Sequence, residues 1–124
     1  MSRILIIEDD KALLDLYKEE FTSEGYEVVG ETKGKSALVT SRQSKFDLII
    51  LDIMLPGDMN GFEALEFLKK DVRTKDIPVI ILTNLGGEEK IAYDMGVVDY
   101  LMKVDTTPGQ LVQKVKKLLS QGST

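Results

Sequence analysis

The chain has 124 residues, 16 basic and 21 acidic side chains and a net charge of -5, with no histidine, cysteine or tryptophan. That length suits one domain built on a single hydrophobic core, and it is too short for a second domain of comparable size. The missing residue types exclude disulfides, thiol nucleophiles, Cys or His zinc sites and a His-based triad, and the acidic balance offers nucleic-acid backbones no general attraction.

Residues 4–7 are a short apolar run, Ile-Leu-Ile-Ile, that stops at Glu8, Asp9 and Asp10. A run apolar on both faces predicts a strand buried in a parallel sheet. Over residues 11–24, Leu13, Leu14, Tyr17 and Phe21 fall on one helical face, and Gly25 stands where a left-handed C-cap is wanted. Residues 26–29 predict a second strand and residues 35–43 a weaker helix. Residues 46–51 predict the third strand, which ends at Asp52, and Phe62, Leu65 and Leu68 mark a helix opened by Gly61. Residues 78–82 predict the fourth strand, ending at Thr83, and residues 88–95 a short helix closed by Gly96. Residues 98–102 predict the fifth strand, ending at Lys103. Thr107, Pro108 and Gln110 then make a capping signature for the last helix. Leu111, Val115, Leu118 and Leu119 give that helix its buried face, and residues 121–124 read as a frayed tail.

Five βα units with short links predict an α/β fold, a parallel sheet with helices on both faces. Right-handed crossovers leave few topologies open. In such folds the chemistry lies at the carboxyl ends of the strands. The loops 57–61 and 84–87 are the two that composition marks as mobile.

The polar residues fall where that rule says chemistry belongs. Glu8 and Asp9 end the first strand, Asp52 the third, Thr83 the fourth and Lys103 the fifth. Residues 1–62 hold 12 acids and 7 bases, so the whole negative excess sits in the half that carries Glu8, Asp9 and Asp52. Clustered carboxylates repel one another unless a cation neutralises them. An oxygen-only donor set favours a hard cation such as magnesium (Mg2+). Carboxylates also act as phosphoryl acceptors. The set predicts an acyl phosphate on one aspartate, with magnesium and Lys103 sharing the added charge. Taken singly, each residue has a plainer reading: acids and hydroxyls favour turns at strand ends, and a lone lysine is a solvated charge. Their joint occurrence, each at the end of its own strand, is what carries the inference.

With those residues in place, the sequence resembles the receiver domain of bacterial two-component response regulators, and in particular the single-domain chemotaxis regulators. The resemblance covers residues 3–120 and rests on ILIIEDD, DLIILDIMLP with a following NGFE, PVIILTN and DMGVVDYLMK. It implies a flavodoxin-like, doubly wound sheet of order 2-1-3-4-5. It implies that Asp52 is the phospho-acceptor, served by a partner histidine kinase or histidine phosphotransfer protein. By the same resemblance Asp9 would bind magnesium directly, Glu8 mainly through water, and Met54 through its backbone carbonyl. Thr83 would bond a phosphoryl oxygen and Lys103 would pair with the phosphoryl group. Tyr100 matches the aromatic residue that moves inward when Thr83 is drawn to the phosphate; its plainer reading is an aromatic packing on the last helix. The resemblance makes the chain a phospho-acceptor that assists its own phosphoryl transfer and slow dephosphorylation, rather than an enzyme in the usual sense.

Several positions depart from the family pattern. Val104 follows Lys103 where the family has a proline, usually in a cis peptide. A cis non-proline bond costs about 2.5–4 kcal/mol, so the Lys103–Val104 peptide is expected to be trans and the loop after it shifted. The loop between Pro56 and Gly61 is one residue longer, which alters the start of the third helix. Asn84 replaces a small residue after Thr83, where it would crowd the phosphoryl entrance or add a hydrogen bond. The segment from Thr83 to Lys103 is short, so the fourth helix is expected to be reduced. Met54 and Leu85 occupy positions that influence the attacking water in this family. Neither can hydrogen-bond strongly to water, which predicts slow self-dephosphorylation.

Three alternatives stay open on sequence alone. One is a pseudo-receiver that binds a partner without being phosphorylated, for which Val104 and Asn84 speak. The second is the receiver part of a longer regulator with an output domain. The third is an aspartyl-phosphate phosphatase, against which Met54 speaks, since a general acid is wanted there. The domain itself is expected to bind neither nucleic acid nor membrane, to be cytoplasmic, and to signal to a downstream protein the sequence does not name. A homodimer through the last helix would use Lys114, Lys116 and Lys117, which otherwise form a solvated face.

Overall fold

A computed structural model describes residues 1–121. The elements run β1 (Arg3–Ile7), α1 (Lys11–Ser23), β2 (Glu27–Glu31), α2 (Gly34–Gln43), β3 (Leu48–Leu51), α3 (Gly61–Lys70), β4 (Val79–Thr83), α4 (Glu89–Asp94), β5 (Asp99–Met102) and α5 (Pro108–Gln121). All pairings are parallel, and the strand order is β2-β1-β3-β4-β5. This is the doubly wound, flavodoxin-like fold expected from the sequence.

The near-continuous apolar runs follow from coverage on both faces. Ile4, Ile6, Leu48, Ile50, Ile80 and Leu82 point to one core, shared with Leu14, Tyr17 and Phe21 of α1 and Leu111, Val112 and Val115 of α5. The alternate residues Leu5, Ile7, Ile49, Leu51, Val79 and Ile81 point to the other, against α2, α3 and α4. The period of two along each strand therefore sorts the side chains into two separate cores.

The helix ends are chemically specified. Asp10 caps α1 by accepting from the Leu13 amide at 3.1 Å, so the third acid of the Glu-Asp-Asp run is a cap. Asn60 and Glu63 form a reciprocal capping box on α3, with bonds of 2.9 and 3.0 Å. Thr107 and Gln110 do the same for α5, at 3.1 and 2.9 Å. Replacing Thr107 with Ala should cost about 1 kcal/mol in urea unfolding, while Thr107→Ser should restore most of it. An unchanged midpoint for Thr107→Ala would show that the cap carries no stability.

Some boundaries differ from expectation. The second strand runs Glu27–Glu31 rather than over residues 26–29, because register with β1 from Arg3↔Glu27 to Ile7↔Glu31 sets its extent. Tyr26 instead packs edge-on against Phe21, ring centroids 5.8 Å apart. The third strand begins at Leu48; Phe46 is buried ahead of it. The fourth helix is reduced, as expected, to six residues. Gln121 closes α5, so that residue of the expected tail is helical; residues 122–124 lie outside the described residues. There is no cis peptide bond among the described residues, so Lys103–Val104 is trans, and a short 3-10 turn over Lys103–Asp105 follows β5. No helix among the described residues is long and apolar enough to cross a membrane. Lys116 pairs with Glu24 of the same chain at 3.0 Å, which ties α5 to the end of α1.

Candidate functional site

The carboxyl ends of β1 and β3 lie side by side, because the two strands pair from Ile4↔Leu48 to Ile7↔Leu51. The residues that follow are brought together by that register. Glu8, Asp9 and Asp52 each offer a carboxylate oxygen, and these oxygens lie within 4.8 Å of one another. Glu8 and Asp52 are 2% and 4% exposed, while Asp9 is open to solvent.

Lys103 reaches this cluster from the end of β5. Its ammonium lies 2.6 Å from Glu8 Oε1 and 2.6 Å from Asp52 Oδ2. The other oxygens are held by backbone amides: Glu8 Oε2 accepts from Asp10 N–H at 3.0 Å and Asp52 Oδ1 from Met54 N–H at 2.9 Å. The proline's replacement by Val104 therefore does not displace the lysine from the acids.

The electrostatics follow from these counts. Burial pushes the Glu8 carboxyl above its ordinary pKa, against the pull of Lys103 and the Asp10 amide. Burial disfavours the Lys103 charge too, but its hydrogen bonds to Asp52 and Glu8 outweigh that and hold the ammonium above its ordinary value. The two directions agree physically: Lys103 has two carboxylates, whereas Glu8 shares one lysine with Asp52. Among the described residues no second cation is paired with the cluster. Three carboxylates against one ammonium, with oxygen donors only, fit a hard divalent cation such as magnesium.

Thr83 is fully buried at the end of β4, and its Oγ1 accepts from Leu85 N–H at 3.2 Å. Tyr100 lies in the core shared with α2, α3 and α4, not against the last helix as its plainer reading had it. Its position on β5 alternates with Leu101, which takes the α5 side. The Tyr100 hydroxyl donates to the Leu85 carbonyl. Tyr100 is thus already inward. Burial raises its pKa, which keeps the hydroxyl a donor. Leu85 joins the two expected switch residues, its amide to Thr83 and its carbonyl to Tyr100.

Met54 touches the site through its backbone, and its side chain is 55% exposed beside Asp52. Asn84 stands at the rim, not in the cluster. It is exposed and shares a surface pocket of about 330 Å³ with Lys103, Tyr17 and Val104.

Two things were missed from the sequence. The Glu8–Lys103 pair joins residues far apart in the chain, and nothing local announces it. Gly61 was read only as a helix start, yet a Cβ there would lie 2.3 Å from Asp52 O. The Asn60-x-x-Glu63 spacing would have fixed where that helix begins.

Comparison with known proteins agrees with this geometry. The sequence profile of the response regulator receiver domain matches residues 4–116. The DNA-binding dual master transcriptional regulator RpaA of Synechocystis is 44% identical over 105 residues, 83% of this chain and 43% of its own length. The response regulator PleD of Caulobacter vibrioides is 38% identical over 104 residues, 82% of this chain and 23% of its own. The chain thus spans less than half the length of either relative. The crystal structure of a CheY-like receiver domain protein from Methanospirillum hungatei superposes with a TM-score of 0.88 at 33% identity, covering 98% of this chain and 95% of that one.

Proposed function

The chain belongs to the response regulator receiver domain family, and from that premise we propose that it takes a phosphoryl group onto Asp52 and relays the change to a protein partner. The donor is a histidine kinase or histidine phosphotransfer protein, since the chain has no histidine of its own. Residues 1–124 act as one receiver domain. The observation that carries this reading is Lys103 Nζ standing 2.6 Å from Asp52 inside a cluster of three carboxylates.

An Asp52 carboxylate oxygen attacks the phosphorus, and an acyl phosphate O–P bond forms as the donor's N–P bond breaks. The leaving imidazole takes the electron pair. Lys103 faces the incoming oxygens and offsets their charge, while Met54 N–H keeps the Asp52 carboxyl oriented. Magnesium, held by oxygens of Asp9, Asp52 and the Met54 carbonyl and by Glu8 mainly through water, would draw off negative charge gathering at the transferred group.

Phosphorylation adds roughly one and a half to two negative charges. The Thr83 hydroxyl has one proton and two lone pairs, so it donates to a phosphoryl oxygen without giving up its bond from Leu85. Any shift of Thr83 is felt at Leu85 and so at Tyr100. That linkage is the two-state element the local charge biases.

Incubation with acetyl phosphate and magnesium, read by intact mass, tests the reading. One added phosphoryl mass is expected. None on the native chain leaves the pseudo-receiver reading standing instead. Met54 and Leu85 offer the attacking water no polar partner, so the phosphorylated form should be long-lived. Met54→Asn should shorten that life, and a native form that decays within seconds in magnesium would refute the argument.

A second reading, a receiver that serves as one part of a longer regulator, is favoured by the greater length of RpaA and PleD. The mass of the native gene product decides it.

A further inference from the structure

We propose that Asn60 is a self-modification site, a succinimide-forming asparagine that the first turn of α3 holds closed in the folded chain. The guard is the capping box with Glu63, together with the packing of Gly61 against the backbone of Asp52.

The chain has two asparagines, Asn60 and Asn84. Asn84 precedes Leu85, whose branched side chain shields the nitrogen that would attack. Asn60 precedes Gly61, which has no side chain to shield its own. Both residues of that step are dictated by other needs. A Cβ at position 61 would stand 2.3 Å from Asp52 O and from Ile53 Cα, so the position takes glycine. Asn60 supplies the cap oxygen, which accepts from Glu63 N–H at 2.9 Å. The close seat of α3 beside the residues after β3 thus brings with it a dipeptide open to this reaction.

The chemistry needs only water and base. The Gly61 nitrogen, its proton lost to hydroxide, attacks Asn60 Cγ. An N–Cγ bond forms, the Cγ–Nδ2 bond breaks, and the side-chain nitrogen leaves as ammonia after taking a proton from water. Water then opens the ring. Cleavage between the ring nitrogen and Cγ gives an ordinary aspartate. Cleavage between that nitrogen and the main-chain carbonyl carbon gives isoaspartate. The isoaspartate form carries an extra main-chain methylene just where α3 meets the backbone of Asp52.

In the folded chain each reacting group is engaged. Gly61 is buried, and its N–H donates to Ile53 O at 3.0 Å, so hydroxide does not reach it. Asn60 is held through its side-chain oxygen by Glu63 N–H, and its own N–H donates to Glu63 Oε1 at 3.0 Å. Ring closure requires the Asn60–Gly61 peptide to turn, which breaks the bonds to Ile53 and Glu63 together. The reaction therefore waits on a local opening of the first turn of α3.

The test incubates the whole chain in mildly alkaline buffer, folded or in urea, then separates and weighs its peptides. In urea Asn60 should convert, and Asn84 much more slowly. The folded chain should convert Asn60 about a hundredfold more slowly than the unfolded one, or slower still. Glu63→Ala removes one half of the box at an exposed position and should convert about fivefold faster than the native chain. Glu63→Gln still accepts from the Asn60 amide and should match the native rate. Equal rates for folded and unfolded native chain overturn the inference. So does a Glu63→Ala rate no higher than the native one, which would mean that the box guards nothing. Amide exchange of the native chain needs no variant: the Gly61 N–H should exchange far more slowly than that of exposed Gly57, and equal exchange would also refute the closed site.

Discussion

Asp52→Ala should take up no phosphoryl group under conditions that label the native chain fully, and Asp52→Asn should behave alike. Asp52 is buried, bonded to Lys103 and held by the Met54 amide through its second oxygen; Glu8 is held in the same way, and it is the place of Asp52 at the end of β3 that matches the family's acceptor. An Asn side chain keeps the shape and an acceptor for Lys103, but its amide is no nucleophile. Loss of labelling in both variants therefore separates chemistry from folding. Neither variant should be badly destabilised. Lys103 retains Glu8, so no ammonium is left buried and unpaired, and the repulsion among three carboxylates is relieved. Stability within about 1 kcal/mol of the native chain is expected from urea unfolding. If Asp52→Ala gains the same mass as the native chain, the acceptor is another carboxylate, with exposed Asp9 the first to examine.

The fold was legible because β1, β3 and β4 are apolar on both faces and each leads into a polar residue. Ile4 to Ile7 and Leu48 to Leu51 could only be strands with cover on both sides, and the structure sends alternate residues to the two cores. The edge strand was harder to place. Val28 and Val29 are only half-buried, and Gly30 and Glu31 join the strand through pairing with β1, which sequence pattern does not encode. A Cβ at Gly30 would stand 3.0 to 3.1 Å from the Leu14 and Lys18 side chains of α1, which would have to shift by a few tenths of an ångström to admit it.

The candidate site was legible as a set of strand ends, not as a set of contacts. Glu8, Asp9, Asp52 and Lys103 converge because parallel register aligns those ends. How the charges divide could not be read in advance. Lys103 bridges two acids, and Asp10, the third acid of the run, caps α1 while its amide holds Glu8. Only the plainer reading of Tyr100, against the last helix, put it on the wrong side, because a strand residue's face depends on register. The departure at Val104 left the placement of Lys103 open from sequence; in three dimensions its ammonium stands 2.6 Å from both Glu8 and Asp52.

Gly61→Ala should be the most damaging single methyl addition at the site. A Cβ at Gly61 would stand 2.3 Å from Asp52 O, 2.3 Å from Ile53 Cα and 2.9 Å from Asp52 C. All three are backbone atoms, so no side chain can rotate away. The Gly61 amide also donates to Ile53 O at 3.0 Å, which pins the first turn of α3 against the segment that follows β3. Space, not backbone conformation, demands glycine here, since Gly61 is not among the positive-φ glycines. Overpacking of this kind should cost about 3 kcal/mol or more, a large part of a small domain's total of roughly 5–15 kcal/mol. Gly57→Ala makes the matched control. Gly57 has φ +89° and nothing within 4 Å of an added Cβ, so its cost is backbone strain alone, about 1–2 kcal/mol. Urea unfolding of the two variants should therefore rank Gly61→Ala well below Gly57→Ala. The folded fraction of Gly61→Ala should also take up phosphoryl groups more slowly, because the methyl pushes on the backbone of Asp52 itself. Equal stability of Gly61→Ala and the native chain would mean that α3 can slide away from the acceptor, and the tight coupling of that helix to Asp52 would have to be given up.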